Sequence, residues 1–246
     1  GYTDFIAMQL MRSGQLQSFT KQLAFPGYTV GDVVERVQTE EAQQLLQNAT
    51  LITISAGANN LLPLVSHNPQ QGTIRFSQRT ANFALNKARK DYTELLQLIN
   101  QIALDADVYV MGYYFPYVSV HEEQLAGVTE QLDVLNDILA KVANDYDAKF
   151  INVSFGDQTS RYLPNVADVH PNMEGYMVMA NAFLQERGLM PLNATQLPEP
   201  NPLTFEEILR MQQSQQPTTE QQVAVKPIEN YVVYYGYDQF KRLFLS

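Results

Sequence analysis

Asp168 and His170 stand two residues apart in the stretch Asn165-Val166-Ala167-Asp168-Val169-His170-Pro171-Asn172. A carboxylate next to an imidazole can orient the ring so that it works as a general base, taking a proton from a hydroxyl or a water. Pro171 restricts His170 to extended backbone and suits the first position of a helix, so the pattern places the histidine on the lip between a loop and a helix over 172–187. A side chain there is held without being sealed off. A half-exposed histidine beside a helix cap would carry the same pattern, so the pair needs partners from elsewhere in the chain. The other histidines are His67 and His121.

Three upstream stretches offer such partners. Pro26-Gly27-Tyr28-Thr29 is a turn running into a short helix over 31–36, a corner at which backbone N–H groups can face an anion. Gly57-Ala58-Asn59-Asn60 follows the β-branched run Leu51-Ile52-Thr53-Ile54-Ser55, which reads as a strand buried on both faces of a parallel sheet. Side chains at the carboxyl end of such a strand face the crevice where ligands bind in open α/β sheets. Gly112-Tyr113-Tyr114-Phe115-Pro116-Tyr117 ends the next apolar strand, 107–111, and could wall an acyl or aromatic slot. Each of the three has a plain structural reading too, as a turn or as core aromatics.

The elements that must position these residues are legible from periodicity. Thr3 caps an opening helix with Phe5, Ile6, Leu10 and Met11 on one stripe. Residues 22–25 form a short strand. The spacing predicts long amphipathic helices over 78–104 (Leu85, Ala88, Tyr92, Leu95, Ile99, Ile102) and over 122–146 (Leu125, Val128, Leu132, Leu135, Leu139, Val142). A last strand covers 149–153. Strands alternating with helices of this length require crossover connections, so the predicted fold class is α/β, a three-layer α/β/α sandwich with a mainly parallel, flavodoxin-like sheet. Gly27, Asn59, the aromatic loop and His170 then fall at carboxyl ends of successive strands.

The chain divides into a main domain, 1–190, and a C-terminal extension, 191–246. Pro191, Pro198, Pro200 and Pro202 interrupt the helical pattern, Thr204-Phe205-Glu206-Glu207 has capping-box form for a short helix, and glutamine-rich 212–222 reads as a linker. Residues 231–235 have high β-propensity. If a first strand precedes Gly1, which is the favoured case, the expectation for that segment is an edge position or a place outside the sandwich. If no such strand exists, the segment is the remaining candidate for the central slot of the sheet.

With 246 residues, 45% of them hydrophobic, the chain can bury one substantial core. Sixteen basic against 26 acidic residues give a net charge of -10, which argues against nucleic acid and anionic membrane surfaces as partners. There is no cysteine, which excludes disulfides and thiolate chemistry. No run reaches the roughly 20 apolar residues of a transmembrane helix.

Three pieces, Phe25-Pro26-Gly27-Tyr28-Thr29, Ile54-Ser55-Ala56-Gly57-Ala58-Asn59-Asn60 and Asp168-Val169-His170-Pro171-Asn172, together resemble the SGNH, or GDSL-type, ester hydrolases. They stand in that family's order, and the resemblance covers residues 1 to about 190. The texture is nearest the lipase/acylhydrolases of Gram-positive envelopes. The resemblance implies a serine ester hydrolase working through an acyl-enzyme on a small ester or lipid, with no metal or organic cofactor. It implies His170 as general base, Asp168 as orienting acid, and the Gly27 N–H and Asn59 amide as oxyanion donors. Asn60, Tyr114 and Phe115 become the candidate substrate contacts. The family commonly places its acid three residues before the histidine, where this chain has Ala167, and Asn60 replaces an aspartate. The Gly-Asp-Ser-Leu-like block that carries the nucleophile is expected upstream of Gly1, together with a first strand. The implied location is extracellular or on the cell envelope, with the cytoplasm as alternative. A non-catalytic binding member of the same fold and a carbohydrate acetylesterase are the competing readings.

Overall fold

Valines at 30, 33, 34 and 37 repeat at three and four residues, and all four are buried on one face of a two-turn helix whose start is set by Thr29. Thr29 accepts the Asp32 N–H on its hydroxyl at 3.3 Å, and Asp32 accepts the Thr29 N–H at 2.8 Å, a reciprocal cap that supplies partners for end groups the helix itself cannot satisfy. Such locally specified elements make up most of the chain. The computed structural model describes residues 1–197 and the strand Tyr231–Gly236.

In order, these are α1 (Tyr2–Arg12), β1 (Ser18–Thr20), α2 (Val30–Val37), α3 (Glu40–Gln47), β2 (Ala49–Ser55), α4 (Ala58–Leu61), the hairpin strands β3 (Ser66–Asn68) and β4 (Thr73–Arg75), α5 (Gln78–Ile102), β5 (Asp107–Met111), α6 (Glu122–Asp145), β6 (Lys149–Ile151), α7 (Thr159–Tyr162), α8 (Met173–Glu186) and β7 (Tyr231–Gly236). The main sheet runs β1-β7-β2-β5-β6, every pair parallel. Among the described residues no helix is long and apolar enough to cross a membrane.

The sheet separates two cores. Because side chains alternate across a strand, Ile52 and Ile54 of β2 and Val108 and Val110 of β5 face the layer of α2, α3, α5 and α6, joined there by Leu85, Tyr92, Leu95 and Leu139. Leu51, Tyr109 and Met111 face the other way, onto α1 and α8 with Phe5, Ile6, Met179 and Phe183. The three-layer α/β/α sandwich is the predicted one. Each fully buried leucine or isoleucine contributes roughly 1.5–3 kcal/mol through removal from water. A third, smaller cluster gathers Ile74, Tyr117, Val120 and Val128 under the hairpin, which sequence patterning does not reveal.

Several expectations are corrected. The first strand is Ser18–Thr20, not residues 22–25; Leu23 is buried as a loop side chain packed on the helical core, so its apolar character reflects burial without strand pairing. Thr3 lies inside α1, buried, and Gly1 precedes the helix; Met11 is 66% exposed. Pro171 stands one residue before the helix cap, which is Asn172.

The largest correction concerns β7. Val232 pairs with Phe19 on one side and Leu51 on the other, and Val233 pairs with Thr20 and Ile52. The segment therefore fills the slot between β1 and β2, not an edge. Two parallel strands with an empty slot between them would leave rows of backbone N–H and C=O groups unpaired in the interior, each costing on the order of 1–3 kcal/mol. A β-rich segment relieves that cost. The short helix and glutamine-rich linker expected between 204 and 222 lie outside the described residues.

Candidate active site

The loop from α7 to α8 folds Asp168 onto His170. The Asn165 side chain accepts the Ala167 N–H at 3.1 Å, and its carbonyl accepts the Asp168 N–H at 2.9 Å, so the chain turns at this point. One Asp168 carboxylate oxygen then accepts both the His170 backbone N–H, at 3.2 Å, and the His170 Nδ1–H. The acid's place two residues before the histidine is thus sufficient. With Nδ1 engaged by the carboxylate, Nε2 is the ring atom that can take up a proton. The histidine and aspartate side chains are 15% and 10% exposed, held but within reach of the cavity that His170 lines.

Behind the dyad, α8 is fixed tightly. Asn172 accepts the Gly175 N–H at 2.9 Å and donates to the Arg161 carbonyl at 2.9 Å, while its own N–H reaches the Tyr162 carbonyl at 2.8 Å. A Cβ at position 175 would lie 2.6 Å from the Pro171 Cβ and 3.0 Å from that of Tyr162. Only glycine lets Pro171, the neighbour of His170, come so close to the helix.

Asn59 sits in the first turn of α4, just past the end of β2. Its Nδ2 donates to the Tyr28 carbonyl at 3.0 Å. A primary amide carries two N–H groups, so this bond leaves a second donor on the same nitrogen. Gly27, next to Tyr28, has φ of +84°, a left-handed conformation that glycine adopts without strain. The Asn59 bond thus ties the Gly27-Tyr28 turn to the end of β2. Asn60 behaves differently: its Oδ1 accepts the Val30 N–H at 3.1 Å at the start of α2. It braces the same turn and is absent from the cavity wall, as is Gly27.

The cavity, of about 140 Å³, is walled by Ser55, Asn59, Tyr113, Tyr114, Phe115 and His170 together with aliphatic side chains of α4, its following turn and α6. Asn136 of α6 clamps the aromatic loop, accepting the Tyr113 N–H and donating to the Tyr113 carbonyl, both at 2.8 Å. The Tyr114 hydroxyl donates to the Val169 carbonyl at 2.8 Å, and its ring packs on Phe155 at 4.4 Å between centroids. Burial pushes the phenol of Tyr113 up to about 12 and that of Tyr114 well above its ordinary range, so both stay protonated donors at neutral pH. Phe115 contributes apolar wall only.

Two residues near the site escaped the sequence reading. Gln131 of the cavity wall and Asn136, which holds the aromatic loop, are polar residues at inward-facing positions of α6, and that was the available signal. Ser55 reads as the last residue of a strand and nothing more. His67 and His121 are placed elsewhere: His67 Nε2 lies 3.2 Å from Ser119 Oγ and its ring packs near Tyr117 at 4.8 Å, and His121 precedes α6. Neither lines the cavity. Among the described residues no group of three or more His, Asp or Glu gathers as a metal site.

The lipase Lip_vut3 from a goat rumen metagenome has a similar fold, with a TM-score of 0.61 at 17% identity over 75% of this chain and 86% of that one. The family 3 carbohydrate esterase of Clostridium thermocellum gives a TM-score of 0.51 at 16% identity, over 75% of this chain and 84% of that one. In sequence, the uncharacterized protein YpmR of Bacillus subtilis (strain 168) is 21% identical over 191 residues, 75% of this chain and 72% of YpmR. Residues 1–178 match the GDSL-like lipase/acylhydrolase family, and with the match spanning most of the described fold, the chain belongs to that family of ester hydrolases.

Proposed function

We propose that this protein hydrolyses esters of short apolar acyl groups through a serine acyl-enzyme. The observation that carries the reading is that an aspartate-oriented histidine and an asparagine with a spare amide donor share the wall of one largely apolar cavity. In this reading His170 Nε2 takes the proton of a serine hydroxyl as its oxygen attacks the ester carbonyl, and Asp168 stabilises the imidazolium. The oxyanion receives the second Asn59 N–H and the Gly27 N–H. As the intermediate collapses, His170 returns the proton to the leaving alcohol, and a water deprotonated by the same ring releases the acid. The reading requires a serine nucleophile within reach of the His170 ring, which the labelling below identifies.

A second reading, a ligand-binding member without catalysis, is favoured by β7. That strand fills the slot between β1 and β2 with Gly236 level with Ser55 at the site end, and Tyr231–Gly236 contains no serine. Treating the protein with a fluorophosphonate and determining its mass separates the two. The enzyme reading expects a labelled serine, turnover of a short-chain aryl ester, and loss of both label and turnover in His170→Ala. A protein that binds acyl ligands but takes no label and turns over no ester is the binding member.

A further inference from the structure

Val128, Gln131, Leu132 and Leu135 all line the cavity, and their helical spacing puts them on one stripe of α6. The cavity therefore runs lengthwise along that helix, and its two ends can be told apart. A Cβ built on Gly57, two residues past the end of β2 and two before Asn59, would lie 3.4 Å from Leu135 Cδ1. Leu135 thus marks the end beside the candidate oxyanion donor. Val128 stands seven residues nearer the start of α6, about 10 Å along the axis at the α-helical rise. At that second end is Phe76, which follows β4, lines the cavity and packs into the small apolar cluster with Ile74, Tyr117 and Val128. A Cβ built on Gly127 would meet the tip of the Phe76 ring, Cζ, at 3.8 Å. The ring therefore lies against the turn of α6 that carries Gly127 and Val128, and the absent side chain at 127 lets ring and helix close on each other.

From this arrangement we infer that Phe76 is the chain-length stop of the acyl site. An unbranched acyl chain lies along α6, with its carboxyl end at Asn59 and His170 and its methyl end against the Phe76 ring. The stretch of helix from Leu135 to Val128 matches about eight extended carbons. The volume agrees: at about 140 Å³ the cavity compares with an engineered apolar cavity of roughly 150 Å³ that holds benzene. The chain that fits is therefore about six to eight carbons long. A longer one must push the ring off Gly127, which disturbs the cluster under the hairpin, or leave its end in water. Taking the ring away extends the cavity into the space the ring fills, and a side chain at position 127 drives the ring inward. The inference rests on the proposed acyl site and assigns its length, but it uses binding alone, so it is decided separately from turnover.

The test is calorimetric titration of the full chain with butanoate, hexanoate, octanoate, decanoate and dodecanoate. In the wild type, affinity rises about fourfold per added carbon as far as octanoate, the gain from burying one methylene, and then stays level or falls. Phe76→Ala carries the rise on to decanoate or dodecanoate, with dodecanoate bound at least about tenfold more tightly than by the wild type. Gly127→Leu acts the other way: octanoate loses about tenfold through overpacking at the far end, while butanoate binds as before. The two variants move the break in opposite directions, so a general loosening under the hairpin, which weakens every chain alike, cannot imitate the result. Phe76→Leu repeats the first variant with less packing removed. A break at the same length in wild type and variants overturns the inference, as does a wild-type affinity that keeps rising through dodecanoate. Failure of every carboxylate to bind removes the acyl site itself, and the inference with it. Turnover of the aryl esters of the same acids, measured in parallel, bears only on the catalytic reading: a displaced break without turnover leaves the role of Phe76 intact and removes the hydrolase.

Discussion

The Tyr114 hydroxyl donates to the Val169 carbonyl at 2.8 Å, latching the loop after β5 to the residue beside His170. The two segments are 55 residues apart in sequence, and this bond couples the position of the aromatic wall to that of His170. Tyr114→Phe removes the latch and keeps the ring. The expected result is a loss of about 1 kcal/mol in urea unfolding and a drop of about tenfold in kcat with little change in KM, since a displaced base weakens the transition state more than ground-state binding. Unchanged kcat would show that α8 alone holds His170.

Asn59 braces Tyr28 and, in the proposed mechanism, donates to the oxyanion. Asn59→Ala is expected to lower kcat by about 100- to 1,000-fold while the affinity for acyl acids changes only a few-fold. The check is steady-state kinetics beside calorimetric binding. An equal loss in both would assign Asn59 to shaping the cavity.

Gly175→Ala places a methyl group 2.6 Å from the Pro171 Cβ and 3.0 Å from the Tyr162 Cβ. Neither neighbour can yield without moving the backbone that carries His170. Overpacking of this kind costs about 1–3 kcal/mol, seen as a thermal midpoint lower by several degrees, with reduced turnover alongside. A variant with wild-type midpoint and turnover would mean that the loop yields at no cost.

Four tyrosines set the alkaline limit of the fold. Burial raises Tyr113 and Tyr117 to about 12 and carries Tyr92 and Tyr114 well above the ordinary value. The unfolded chain releases these protons near pH 10 and the folded chain holds them longer. Their contribution is complete below about pH 10 and is lost as the pH climbs toward 12. Circular dichroism should hold to about pH 10 and collapse above it, with tyrosinate absorbance of the buried set rising in the same transition. Full ionisation of all 14 tyrosines with the fold intact would contradict this. Tyr113→Phe and Tyr117→Phe should each shift the collapse upward.

What sequence alone determined about this protein is what local geometry controls. Helix stripes such as Leu85, Ala88, Tyr92 and Leu95 report burial because a 3.6-residue period is enforced by the backbone, and β2 and β5 show as apolar runs because both faces of a parallel sheet are covered. The Asp168 and His170 contact was legible for the same reason: two residues of separation leave few ways for the side chains to avoid each other. Family resemblance extended that reading to Gly27 and Asn59.

Tertiary structure decided everything that depends on which distant segment answers an unmet need. Residues 22–25 and 18–20 are both short and apolar enough for a strand, and pairing with β7 selected the second. The slot between β1 and β2 went to Tyr231–Gly236: its β-propensity marks it as able to extend, but which strands it joins is decided by the unpaired interior backbone it meets. Asn60 reads like Asn59 in sequence, yet one reaches Val30 and the other Tyr28 and the cavity. Gln131 follows the same rule. Its place on the helix was periodic and predictable, but only the assembled fold set it in the cavity wall.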